Sequence, residues 1–139
     1  MEQMLVEGGE LERNLKRAEE TIKRASENDC QVIVLPECLD AGWTHPSARE
    51  IAEEIPGKTS DRLCLAAKNN NIMVVAGLTE RDGERIYNSA ILINNDGRIL
   101  LKHRKINVLR IAQDLYTVSY THLRAHETRH DLVCRLLLE

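Results

Sequence analysis

Apolar residues recur along Leu11, Leu15, Ala18, Ile22 and Ala25 at spacings of four, three, four and three. That is one stripe of an amphipathic helix, with the charged residues between them facing water. Asn28-Asp29 closes it, and the pattern then changes character. Val32 to Leu35 is an unbroken apolar run, which predicts a strand buried on both faces. Pro36 lacks a donor and cannot continue a central ladder, so the strand stops there and places Glu37 at its carboxyl end. Upstream, Met1 to Val6 reads as the end of an earlier strand, broken off by Gly8-Gly9. Strand, helix and parallel strand would make a right-handed βαβ unit.

The same reading carries on down the chain. Pro46 opens a short helix that turns Ala48, Ile51, Ala52 and Ile55 inward, and Pro56-Gly57 stops it. Thr59 or Ser60 can cap a further helix with Leu63, Ala66 and Ala67 on its inner face. Asn69-Asn70-Asn71 ends that helix, because Asn tolerates the left-handed conformation. Ile72 to Leu78 predicts a second buried strand. Asp82-Gly83 and Asp96-Gly97 are turn signals that bracket a strand over Ile86 to Ile93, with Arg98 to Lys102 as its partner. The expected order is strand, helix, strand, two helices and a run of three strands, an α/β fold.

Composition narrows the picture from there. The 139 residues fit one domain or part of one, and 42% hydrophobic with 29% charged is ordinary for a globular chain. A net charge of −3 gives no electrostatic footprint for nucleic acid or an anionic membrane. No apolar run approaches the roughly 20 residues of a transmembrane helix. Four cysteines without a Cys-x-x-Cys pair point to reduced thiols and a cytoplasmic location. With no Phe and a single Trp, the core has to be aliphatic.

Two places carry candidate chemistry. In open α/β sheets, ligands bind in the crevice beyond the strand ends, which is where Glu37 falls. A half-desolvated carboxylate there is expected to have its pKa pushed upward, toward the range of a general base; the alternative is a solvated loop glutamate. Lys102-His103-Arg104-Lys105 is a basic cluster at another strand end, either a solvated edge or a source of one lysine aimed into the same crevice.

Five stretches in a fixed order then resemble the carbon–nitrogen hydrolase, or nitrilase-like, superfamily. They are Val-Ile-Val-Leu-Pro-Glu (Val32 to Glu37), Ile-Pro-Gly (Ile55 to Gly57), Val-Val-Ala-Gly-Leu (Val74 to Leu78), Ile-Tyr-Asn-Ser-Ala (Ile86 to Ala90) and Gly-Arg-Ile-Leu-Leu-Lys-His-Arg-Lys (Gly97 to Lys105). The resemblance implies an α-β-β-α sandwich, of which this chain would hold roughly the first half. It also implies a Glu, Lys and Cys catalytic set, with Glu37 as the general base and Lys105 as the lysine. A cysteine thiolate would attack an amide, N-carbamoyl or nitrile carbon, Glu37 would shuttle the protons, and Lys105 would stabilise developing negative charge. The implied partner is a small-molecule substrate, with no cofactor, no metal, no nucleic acid and no membrane. Full-length members of the family are expected to form homo-oligomers. If Glu37 and Lys105 act together, they should lie within about 4–6 Å of each other.

The nucleophile has no match. Cys38 neighbours Glu37, but adjacent strand-end residues point apart. Cys30 and Cys64 are expected to be small buried hydrophobes. Beyond Lys105 only Cys134 remains, and its surroundings differ from the family's. The residues from Val118 to Thr128 are identified as the translation of a transposase-type sequencing adapter. Asp131 to Glu139 translate its continuation after a short index (Arg129, His130). The expected division is therefore 1–117, the N-terminal part of the hydrolase domain, and 118–139, a non-native tail. That removes Cys134, and it removes His122, His126 and His130, whose spacing would otherwise suit a metal-binding helix face. A half-sandwich should also leave Val32 to Leu35 and Met73 to Ala76 uncovered on one face. The competing reading is a non-catalytic α/β binding or interaction module.

Overall fold

The structure, a computed structural model, describes residues 3–119. Four strands form one sheet in the order β1 (Val32–Val34), β2 (Met73–Asp82), β3 (Arg85–Ile93) and β4 (Ile99–Arg104). β1 is parallel to β2, and β2, β3 and β4 run antiparallel in turn. The helices are α1 (Leu11–Glu27), the single turn α2 (Ala48–Ile51) and α3 (Lys58–Asn69). No helix among the described residues is long and apolar enough to cross a membrane.

The apolar stripe of α1 is the one the spacing predicts, since Leu15, Ala18 and Ile22 are buried. Asn28 turns its side-chain amide back onto the Arg24 carbonyl at 2.7 Å, and Asp29 takes φ +57°, which ends the helix. α3 ends the same way, with Asn70 on the Ala66 carbonyl at 2.8 Å and Asn71 at φ +48°. Its start differs from expectation. Gly57 occupies the cap position, and the Ser60 hydroxyl accepts the Gly57 N–H at 2.9 Å from inside the first turn. The Glu53 carboxylate accepts the Thr59 N–H at 2.9 Å, a negative charge where the helix dipole favours one.

One face of the sheet meets the helices. Ile33, Val74, Ile93 and Ile99 make one row across all four strands on that side. They join Leu15, Ala18, Ile22, Leu63, Ala66 and Ala67 in the main core. The next row, Val34, Val75, Leu92 and Leu101, lies on the opposite face and is open at its ends, where Val34 is 72% exposed and Leu101 45%.

Two expectations fail at the sheet edge. β1 is not buried on both faces, because it is the edge strand and Val32 and Val34 point to the uncovered side. Residues 3–7 form no strand. Their alternation survives, with Met4 and Val6 packed on the core and Leu5 exposed, but no ladder forms. The segment is held from its far end instead. Buried Asn14 accepts the Glu7 N–H at 2.9 Å and donates to the Glu7 carbonyl at 2.7 Å, so a helix side chain replaces strand pairing. The βαβ crossover present in the structure is therefore β1, α2 and α3, β2. A cleft of about 1130 Å³ runs along the free edge of β1, lined in part by Met4, Leu5, Val32 and Val34, and it does not include Glu37.

Candidate active site

Leu35 donates its N–H to Val75 at 2.8 Å, the last bond of the β1 ladder, and Pro36 then turns the chain across β2. The crossing needs Gly77. A Cβ there would lie 2.6 Å from the Glu37 Cα and 2.9 Å from the Pro36 carbonyl oxygen, so the two backbones touch where any side chain would part them. The Gly77 N–H bonds the Pro36 carbonyl at 3.2 Å, and the Leu39 N–H bonds the Gly77 carbonyl at 2.9 Å. One residue after Leu39, buried Asp40 locks the loop, accepting from the Thr79 N–H at 2.7 Å and the Thr79 hydroxyl at 3.0 Å. Burial pushes the Asp40 carboxyl up, against these hydrogen bonds.

Glu37 is thereby fixed at its backbone while its side chain stays 45% exposed. Lys105 Nζ donates to Glu37 Oε1 at 2.7 Å, closer than the sequence reading expects. Asn88, on β3, donates from Nδ2 to the same oxygen at 2.5 Å. The Asn88 carbonyl also accepts the Lys105 N–H at 2.8 Å, so one residue holds both charged partners. The expected upward pKa shift of Glu37 is wrong. Partial burial does push its carboxyl up, but the Lys105 and Asn88 hydrogen bonds and the Lys105 charge outweigh it, and the net shift is downward. Glu37 is ionised at neutral pH.

The basic cluster divides between the two faces of the sheet. Lys102 and Arg104 turn toward the helices, where both donate to buried Glu80, each with a 2.6 Å contact to Oε1. Ser89 adds a bond of 2.6 Å to Glu80 Oε2, and Arg104 lies 4.0 Å over the Tyr87 ring. Lys105 is the one member directed to Glu37.

Cys38 follows Glu37 in a turn, at φ +46°, so the alternation expected of strand-end residues does not apply to it. It has no exposed surface, its thiol accepts from the Tyr116 hydroxyl at 3.4 Å, and burial pushes its pKa up to about 11. A thiol so placed has almost no thiolate at neutral pH. Cys64 is partly buried against the main core as expected, whereas Cys30 is exposed. Trp43 is 39% exposed in the loop after β1. His122, His126, His130 and Cys134 lie outside the described residues, and among those described no group of His, Cys, Asp and Glu could hold a metal ion. Sequence reasoning missed Asn88, although it stands inside a quoted motif. A polar residue among Ile86, Tyr87, Ala90 and Ile91 in a buried strand was the available signal.

The model of the carbon–nitrogen hydrolase family matches residues 3–130. This chain belongs to the carbon–nitrogen hydrolase family. The match runs past Val118, into the stretch that the sequence reading sets apart. Among curated members of the family, an omega-amidase of Xenopus tropicalis is 37% identical over 99 residues, covering 70% of this chain and 36% of its own length. A nitrilase of Pyrococcus abyssi is 39% identical over 103 residues, covering 71% and 39%. The chain thus spans well under half the length of these relatives. An amidase from Nesterenkonia sp. superposes with a TM-score of 0.78 at 20% identity, over 86% of this chain and 46% of that one. At that identity the likeness concerns the fold alone, and it identifies this α/β chain as about half of a nitrilase-type fold.

Proposed function

We propose that this chain carries the acid–base half of a hydrolase centre for non-peptide carbon–nitrogen bonds in amides, N-carbamoyl compounds or nitriles. The observation that carries the reading is the Lys105–Glu37 contact of 2.7 Å beyond the strand ends. Glu37, ionised at neutral pH, takes the proton of a cysteine thiol, returns one to the leaving nitrogen, and then activates water to release the acyl enzyme. Lys105 keeps Glu37 ionised and places a fixed positive charge beside the developing oxyanion or amidate, where such a charge is worth several kcal/mol. A solved amidase of the Nesterenkonia set carries acrylamide added at its active-site cysteine. On this reading none of Cys30, Cys38 and Cys64 is the nucleophile, the stretch 118–139 is not part of the domain, and the 139-residue chain by itself is inactive. A cytoplasmic location and a homo-oligomeric full-length enzyme belong to the same reading.

The test compares ammonia release from a panel of amides, N-carbamoyl compounds and nitriles by this chain and by a chain continued with the genomic sequence downstream of Tyr116. The expected result is no turnover by the first and turnover by the second, lost in Glu37→Gln and in Lys105→Met. Ammonia release by the 139-residue chain that is abolished by Cys38→Ala would overturn the assignment. A genuine stop codon after Tyr116 would make the chain a non-catalytic α/β module instead.

A further inference from the structure

The geometry around Glu37 is asymmetric. Both of its polar contacts, from Lys105 Nζ at 2.7 Å and Asn88 Nδ2 at 2.5 Å, fall on Oε1. Among the described residues none bonds Oε2. Asn88 has little other freedom, because it is 6% exposed, pairs with Thr79 across the ladder, and gives its carbonyl to the Lys105 N–H at 2.8 Å. A carboxylate only accepts, so the amide has to present its NH₂ group to Glu37. The residue type also suits the position. A neutral donor fixes the carboxylate without the second positive charge that would make it too weak a base, and Asp at the same place would repel it.

We propose that Asn88 is the positioning residue of the acid–base glutamate, holding Oε1 together with Lys105 so that Oε2 is the oxygen presented to the reacting proton. This rests on the hydrolase reading above and adds to it a residue that touches no reacting atom. It acts twice: its side chain sets the rotation of the Glu37 carboxylate, and its backbone sets the height of Lys105 over that carboxylate. A purely structural asparagine would satisfy its own amide in the strand and leave the titration of Glu37 unchanged.

The experiment follows the Glu37 side-chain carboxyl carbon and the Asn88 side-chain amide by NMR in the labelled full chain, from pH 2 to 8. The Asn88 amide resonances are expected to move with the Glu37 midpoint. Asn88→Ala is expected to raise that midpoint by about one pH unit, the size of one lost hydrogen bond to a charged group. Asn88→Ser, whose hydroxyl is too short to reach, should do the same and serves if the alanine chain does not fold. Asn88 amide resonances that ignore the Glu37 titration, or that sit at random-coil positions throughout, overturn the proposal. So does a Glu37 midpoint unmoved in a folded variant. The readout needs no turnover, so failure here leaves the hydrolase reading standing, and an inactive extended chain leaves this result standing.

Discussion

Replacing Glu80 by Gln keeps the shape of the side chain and removes one charge from the end of β2. Glu80 is 1% exposed and accepts from Lys102, Arg104 and Ser89. Burial raises its carboxyl, but those hydrogen bonds and the Lys102 charge outweigh it and bring the pKa from 4.5 to about 2. At about 1.4 kcal/mol per pH unit, that shift corresponds to about 3 kcal/mol of folding free energy. The folded value lies below the unfolded one, so the contribution is complete above about pH 4.5 and is lost as pH falls through about 2. Mutational experience with buried ion pairs, about 3–5 kcal/mol for removing one partner, points to the lower end here, because Lys102 and Arg104 keep 34% and 20% of their side chains in water. Urea denaturation followed by far-UV circular dichroism, repeated between pH 2 and 7, measures it. With a slope of about 2 kcal/mol/M, Glu80→Gln should lower the midpoint by about 1.5 M at pH 7, and the difference should vanish near pH 2. The Glu37 carboxyl is also lowered, and Asp40, whose carboxyl is raised, contributes the opposite slope; the difference between wild type and variant cancels both. A variant whose midpoint follows wild type at every pH would refute the assignment of this network as a stabilising one.

Three further outcomes are expected. Under native conditions at pH 7, a thiol-alkylating reagent should modify exposed Cys30 and spare Cys38, and peptide mapping that finds Cys38 modified first would contradict its burial. Gly77→Ala should separate β2 from the Glu37 backbone, lowering stability by about 1–3 kcal/mol and disturbing the Glu37 resonances; unchanged melting and shifts would show that the crossing has slack. An apolar dye should bind the open row through Val34 and Leu101, each forgoing roughly 1.5–3 kcal/mol of burial, and a Val34→Lys chain that binds as much dye would place the dye elsewhere.

Much of the helical layer was legible because its signals are local. A stripe at helical spacing needs no partner to be recognised, and neither do Asp82-Gly83 and Asp96-Gly97, whose glycines adopt φ of +59° and +79°. The Glu37–Lys105 pairing became legible only through the order of motifs, since 68 positions separate the two residues. What stayed hidden depends on register. Nothing in Ile-Tyr-Asn-Ser-Ala says that Asn88 faces Glu37 until β3 is aligned with β2. The sign of the Glu37 shift turns on that same contact, together with Lys105. The edge position of β1 depends on which strands exist beside it, and the run Val32 to Leu35 reads the same with a neighbour or without one.

The split of Lys102, Arg104 and Lys105 between two faces has a consequence for how this stretch can vary. Two carboxylates on opposite sides of the sheet, Glu80 and Glu37, draw their cations from one short run by simple alternation. Insertion of a single residue before Lys102 would turn every one of these side chains over at once. Substitutions can be tested one at a time by evolution, but a shift of frame here removes the structural ion pair and the candidate catalytic one in the same event. Length changes are therefore expected to collect in the Asn94 to Gly97 turn, with the spacing from Lys102 to Lys105 held constant while the residues around it drift.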